Sequence, residues 1–507
     1  MAAKTFSVRR AVVCIVIVAF VAGIVVLLSP LLRSASAAQV SPKLSPPPAT
    51  VQAGTPFGEI GALERTRQTP PEKLKPYLES SDPAIVARAV IALARLRNPD
   101  GIPLVTHLLN DTKSLDDVRA SAAFSLGVLG SPQSVRVLNA AISRGPSVVS
   151  AAAAEALGRI GGQQAIEILT GLLGSRDAAV RSAAAVGLGE AGIPGAPFID
   201  EAHRQASARS LAAAILVERD QEVKWRMAWA LDRSFYQNQS SVLRRLLTDD
   251  EELVRLYAVQ GLGRLKDRAY VLPLRLASAD RSWRVRVEAH NALAALRDST
   301  KVDLRPPPVP KADLTVPQPL ASSAPYGDHP EVAFDTSKGV IVVELFPEAA
   351  PYSVDNFLYL VDRGFYNGLQ YFRVIQDFVI QSGDPKNTGD GGPGYSIPAE
   401  LNPIQQLTGI ISYGLDYDEK KNTPLLDSAG SQYYSTESPQ LHLDRAFTVF
   451  GRVVKGMAVV DAIAPHQAGD AAPADVSKRV YRCQPVITQS AEVEAKLRAT
   501  EIGYDAR

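Results

Sequence analysis

The sequence is poor in residues that would announce redox or metal chemistry. Only two cysteines, Cys14 and Cys483, occur among 507 residues, which excludes a disulfide framework. The six histidines are scattered without metal-ligand spacing, so neither a metal centre nor a cofactor is expected. Charge of one sign is also missing. Lys and Arg total 54 against 53 Asp and Glu, and with no basic field a nucleic-acid partner is not expected. Two glycine-rich stretches imitate nucleotide loops. Gly187-Leu-Gly-Glu-Ala-Gly192 spells the dinucleotide fingerprint but closes a helical repeat instead of following a strand, and Gly389 to Gly394 lacks the Lys-Ser/Thr of a phosphate loop.

One long uncharged apolar run is present, Ala11 to Leu32, behind Lys4, Arg9 and Arg10 and ahead of Ala35-Ser-Ala37. A cleaved signal peptide and an uncleaved anchor both fit residues 1–38, and both export the remainder of the chain. The run outlasts the apolar core of about 7 to 15 residues in a signal peptide and reaches the length of about 20 that crosses a bilayer. That length favours an anchor, with the basic flank left in the cytoplasm. The expected location is extracytoplasmic, in the periplasm or at the cell surface, tethered to the inner membrane by residues 11–32.

Residues 39–57 form a Pro-rich spacer, after which the composition turns helical over 58–301. Leu93, Leu126, Leu157, Leu188, Leu231, Leu262 and Leu293 recur at intervals of 33, 31, 31, 43, 31 and 31 residues. Valine or isoleucine stands eight positions before each, and alanine four before, except for Met227. Such an i, i+4, i+8 set is one face of a helix, and its small central residue lets neighbouring helices approach closely. Each marker helix is followed by a second apolar helix, such as Ser134 to Ile142. A pair this short must stack to bury its apolar face, so the region reads as an α-solenoid. It resembles HEAT repeats, a pattern also met in phycobilin lyases, although no candidate group for lyase chemistry is present. The long interval implies an inserted loop or a lengthened helix near Pro194 to Leu211. A basic row at Arg119, Arg181, Lys224, Arg255 and Arg286 reads either as a protein-binding stripe or as a solvated row paired with Asp116, Asp177, Glu222 and Glu252. The solenoid is thus a scaffold or a surface for a protein partner.

Residues 302–330, with Pro306-Pro-Pro-Val-Pro310, form a Pro-rich linker. Beyond it lies Tyr371-Phe-Arg-Val-Ile-Gln-Asp-Phe-Val-Ile-Gln-Ser-Gly-Asp384, an alternating strand pattern whose phase resets at Gln376-Asp377, as at a bend or bulge. A second block runs from Ser428 through Gln432 and Tyr434 to Val453, and Gly339 to Phe346, Val354 to Phe357, Gly364 to Gly368 and Gly456 to Asp461 supply further matches. Together these residues resemble the cyclophilin family of peptidyl-prolyl cis-trans isomerases over 331–488, leaving 489–507 as a tail with a helical stretch from Ala491 to Thr500.

The resemblance implies an eight-stranded antiparallel β-barrel with two capping helices, which the sequence places at Ser353 to Arg363 and Met457 to Ile463. It also implies isomerisation of X-Pro bonds in proline-containing segments or unfolded client proteins. Arg373 matches the family's catalytic arginine, and Gln381 would hold it. Phe378, Val379, Gln432, Tyr434, His442 and Leu443 would bind substrate, with Gly414 and Leu415 on the rim. The segment from Gly414 to Asp416 departs from the family, and Val379, Tyr434 and Phe447 replace commoner residues. The same groove could serve a non-catalytic proline-binding module.

Overall fold

The computed structural model describes residues 54–192, 200–235, 237–315, 329–418, 423–463 and 480–486. The apolar run 11–32, most of the spacer, linker residues 316–328 and the tail helix lie outside them. Among the described residues no helix is long and apolar enough to cross a membrane.

The marker helices are Pro83–Leu96, Asp116–Leu129, Ser147–Ile160, Ala178–Ala191, Gln221–Ala230, Glu252–Arg264 and Trp283–Ala295. Several open on a side-chain cap that satisfies an otherwise unpaired backbone N–H: Asp82 accepts from Ala84, Asp177 from Ala179 and Asp220 from Glu222. All seven marker leucines and the small residues four positions earlier are buried. Close approach is tightest where Gly158 meets Gly187, since a Cβ on Gly158 would come within 2.2 Å of the Gly187 Cα. The pseudo-nucleotide glycines are thus a helix-packing device. The marker helices stack in one layer and the second helices in another. The 43-residue interval contains a lengthened helix, Glu201–Val217.

The basic row differs from both sequence readings. Arg181 forms a paired contact with Glu218 at 2.7 and 3.0 Å, Lys224 pairs with Asp249, and Arg255 grips Asp280 at 2.8 and 2.9 Å. Each partner opens the next repeat, and of the four pairs expected within one repeat the structure forms Arg119 with Asp116. The arginines also donate to carbonyls at the preceding helix end, as Arg181 does to Ser175 at 2.9 Å. Unpaired carbonyls and a neighbouring carboxylate draw the side chain inward, so Arg181, Lys224 and Arg255 staple repeat to repeat, while Arg286 ties the last repeat to the carbonyls of Asp303 and Arg305.

The C-terminal domain is an eight-stranded antiparallel sheet in the order β10-β1-β2-β9-β5-β8-β4-β3. Its strands are β1 (Glu331–Thr336), β2 (Gly339–Leu345), β3 (Arg373–Ile375), β4 (Val379–Ser382), β5 (Ile410–Tyr413), β8 (Tyr433–Thr436), β9 (Val449–Lys455) and β10 (Val480–Val486). A small ribbon adds β6 (Tyr417–Asp418) and β7 (Thr423–Pro424). Helices Pro351–Asp362 and Met457–Ile463 accompany the sheet. Its core is aromatic: Tyr413 and Phe450 stack at 4.4 Å, and Phe357 lies 5.1 Å from both Phe450 and Tyr366. The linker is not a plain spacer, because Val309 packs on this core and Lys311–Leu314 forms a turn against Gly339.

The marker layer faces the barrel. Arg95, buried at 2% exposure, donates to the carbonyls of Leu401 at 2.9 Å, Ala349 at 2.6 Å and Glu400 at 3.3 Å and to Glu64 at 3.1 Å. Arg88 grips Glu64 at 2.6 and 2.8 Å. Burial alone would raise the Glu64 carboxyl, but Arg88 and Arg95 outweigh it and hold the group at about 2. Further contacts tie Arg67 to Asp427 at 2.8 Å, Arg284 to Asp461 at 2.7 Å, and Arg445 to Glu155.

Arg95→Ala would strip three barrel carbonyls and the Glu400 carboxylate of their buried cation. The expected loss is roughly 3–5 kcal/mol in urea denaturation, and a loss below about 1 kcal/mol would show that the domains do not depend on this contact.

Candidate active site

The stretch read as one interrupted strand is a hairpin. Asp377, with φ of 55°, turns the chain between β3 and β4, and Arg373 becomes the cross-strand partner of Gln381. Gln381 in turn faces Tyr434 on β8, and Tyr434 faces Ser412 on β5. Directly opposed residues in antiparallel strands share a face, so these four form one row across the sheet. The alternate residues Val374, Ile380, Tyr433 and Ile411 fill the barrel core behind it.

A chain of hydrogen bonds orients this row. Arg373 Nη1 donates to Gln381 Oε1 at 3.2 Å, Gln381 Nε2 to Gln432 Oε1 at 2.9 Å, and Gln432 Nε2 to the carbonyls of Gly389 and Gly391 at 2.7 and 2.9 Å. The glycine loop is itself ordered by Asp384, which accepts from the amides of Lys386, Thr388 and Gly389. Gly414 leaves room for the relay, since a Cβ there would stand 2.9 Å from Gln381 Nε2.

Beside the arginine lies an apolar cluster of Val379, Tyr434, Leu443 and Phe447, with Phe378 and Leu415 packed on it. The Arg373 Cζ is 6.0 Å from the Phe378 ring centre, and His442 stacks on Phe378 at 5.8 Å and 14°. Burial, reinforced by Arg233 and Arg264, lowers the His442 imidazole to about 4, so the ring is neutral near pH 7. All ten residues singled out from the sequence thus converge on one groove.

The domain carrying this groove matches the family described as cyclophilin type peptidyl-prolyl cis-trans isomerase over residues 331–484. It is 40% identical over 137 residues to the mouse peptidyl-prolyl cis-trans isomerase-like 1, covering 26% of this chain and 79% of that protein. The chain belongs to the cyclophilin-type peptidyl-prolyl cis-trans isomerases. Peptidyl-prolyl cis-trans isomerase B of Bacillus subtilis is 44% identical over 119 residues, covering 23% of this chain and 78% of its own. A solved cyclophilin-type isomerase from Cryptosporidium parvum aligns with 32% of this chain and 99% of its own, at 24% identity and a TM-score of 0.28. HEAT repeats match at 71–156, 112–189 and 136–232. This cyclophilin is therefore a prolyl isomerase fused to HEAT repeats.

Sequence reasoning missed the solenoid's share of the groove's surroundings. Gln260 donates to Asp377 at 3.3 Å, and Arg233 and Arg264 lie within electrostatic reach of His442. Behind Phe378 sits a carboxyl cluster from both domains. Burial raises Asp377 and Glu437, and it lifts Glu288 to about 7 and Asp461 to about 6; the Glu288 charge raises Asp377 further, and Asp232 does the same to Glu288.

These raised groups hold protons that the unfolded chain releases. Their contribution is complete below the ordinary carboxyl range, and that of Asp461 and Glu288 is lost as pH rises through about 6 to 7. His442 acts oppositely, losing its contribution as pH falls from about 6.5 toward 4, but it is one group against four. The melting temperature should fall by about 5 °C or more between pH 5 and pH 8. A flat or rising profile in scanning calorimetry would contradict the cluster's protonation.

Proposed function

We propose that this isomerase acts on X-Pro bonds of exported polypeptides, with Arg373 as the catalytic donor. The observation that carries the reading is a guanidinium fixed by Gln381 at 3.2 Å beside an apolar pocket floored by Phe378. Amide rotation faces a barrier of about 18–20 kcal/mol because the nitrogen lone pair is shared with the carbonyl. In the twisted state the lone pair localises on the prolyl nitrogen and can accept a hydrogen bond. A donor aimed there stabilises the transition state more than either planar ground state. The ring sits in the pocket of Phe378, Val379, Tyr434 and Leu443, while Gln432, Gly414 and Leu415 line the path of the peptide backbone. No proton transfer or covalent intermediate is needed.

The solenoid's marker layer is occupied by the barrel, which leaves the second helices for a client. Leu272 and Leu276 project there at 68% and 72% exposure, one helical turn apart. Arg373→Ala should slow X-Pro exchange in a short peptide by roughly a hundredfold or more, as loss of one transition-state donor does elsewhere. The double variant Leu272→Ser/Leu276→Ser should keep peptide activity and lose acceleration of proline-limited refolding of a whole protein. An undiminished Arg373→Ala rate defeats the donor assignment, and undiminished refolding by the double variant defeats the client surface.

The uncharged run 11–32 and its basic flank support export with a membrane tether. The full chain should sediment with membranes after salt washing, whereas a chain beginning at residue 39 should not. A full chain recovered in the soluble cytoplasmic fraction would overturn this placement.

A further inference from the structure

Two segments that line the proline pocket, the turn carrying Leu443 and the turn carrying Phe378, are tied to the solenoid. Leu441, His442 and Leu443 form a single 3-10 turn on the barrel, yet their side chains go to three places. Leu441 is fully buried within the hydrophobic core of the helical repeats, His442 stacks on Phe378, and Leu443 joins the pocket cluster. The segment around the turn is held from the same side. Tyr257 donates its hydroxyl to the Pro439 carbonyl at 3.2 Å, and Arg159 donates to the carbonyls of Asp444 and Arg445 at 3.4 and 2.8 Å. Arg445 is paired with Glu155, and its guanidinium lies 5.9 Å from the Phe124 ring centre.

Phe378, on which His442 stacks, is anchored as well. Gln260 of the solenoid bonds Asp377, the residue before Phe378, and the Phe378 carbonyl accepts from the Glu437 amide at 2.9 Å. Phe378 and His442 stack directly on each other, so the setting of both rings beside the pocket cluster depends in part on groups outside the barrel. A turn without these anchors would have to be ordered when the peptide binds, which weakens binding, whereas an ordered turn is already in place. The rotation step depends on Arg373, which is held by Gln381 and Gln432 within the barrel, so the two effects separate.

We propose that the HEAT solenoid is a structural part of the proline pocket, and that Leu441, Tyr257 and Gln260 are positioning residues setting its affinity for proline peptides. This inference rests on the isomerase reading of the groove. The test is steady-state isomerisation of a proline peptide by the full chain carrying Leu441→Ala, or Tyr257→Phe with Gln260→Ala, beside Leu138→Ala as a control. Leu138 is equally buried but lies in a second helix, away from the barrel.

Leu441→Ala should raise KM roughly tenfold and the double variant about threefold, with kcat within about twofold of wild type, the signature of lost ground-state binding. Leu138→Ala should lower the melting temperature comparably and leave KM unchanged. The inference is overturned if KM stays at the wild-type value in both pocket variants, if Leu138→Ala raises it equally, or if kcat falls while KM does not. Should Leu441→Ala fail to fold, the double variant alone decides. An inactive wild type would instead defeat the isomerase reading, so the two failures are distinguishable.

Discussion

A guanidinium buried at 2% exposure must find acceptors for its donors, and Arg95 finds them in a different domain. Three barrel carbonyls and Glu64 surround it, and the Glu400 carboxylate stands 3.8 Å away. Glu400 in turn accepts from the amides of Tyr352 and Ser353 at the start of helix Pro351–Asp362, where a negative charge is favoured by the helix dipole. One cation therefore couples the first repeats to the segment that begins a barrel helix. Separating the domains would leave each of these groups buried and unmatched or force them all into water together.

The groove on the other side of the barrel follows a different logic. Its row of Arg373, Gln381 and Tyr434 is a product of strand register, and its relay of amides ends on backbone carbonyls of a glycine loop. Nothing in it titrates near neutrality, because His442 is held neutral by burial and two nearby arginines. That suits a reaction in which a lone pair must be met by a fixed dipole and no proton is exchanged. The ionisable groups that do respond to pH lie behind the pocket, between the domains.

The groove was legible because its residues sit in short stretches whose spacing carries over to the sheet. Arg373, Phe378 and Gln381 lie within nine residues, and the second block supplied Gln432, Tyr434, His442 and Leu443. The hairpin was missed because its turn residue, Asp377, adopts a left-handed conformation in a sequence that alternates on both sides of it. In the solenoid the buried face was plain from the recurrence of leucine, but the arginine row was assigned to the surface when it joins the repeats. The stripe that meets the barrel was also written in the chain: Arg95, Arg159, Glu190, Arg233 and Arg264 each stand two positions after a marker leucine. What they touch could not be read, since Tyr257 and Pro439 are 182 positions apart and no local pattern joins them.

The pairing of β1 with β10 gives the chain a timetable. The repeats are complete once residue 295 has emerged, but the first barrel strand lacks one neighbour until residues 480–486 arrive. At ordinary synthesis speeds that gap is roughly 10 to 40 s. Throughout it, the solenoid presents to water the surface that the barrel will cover. An apolar surface waiting that long would collect other nascent chains, whereas arginines and glutamates stay hydrated until their carbonyl and carboxylate partners appear. The charged part of the seam, unlike the apolar site that receives Leu441, thus tolerates the order in which the ribosome delivers its two sides.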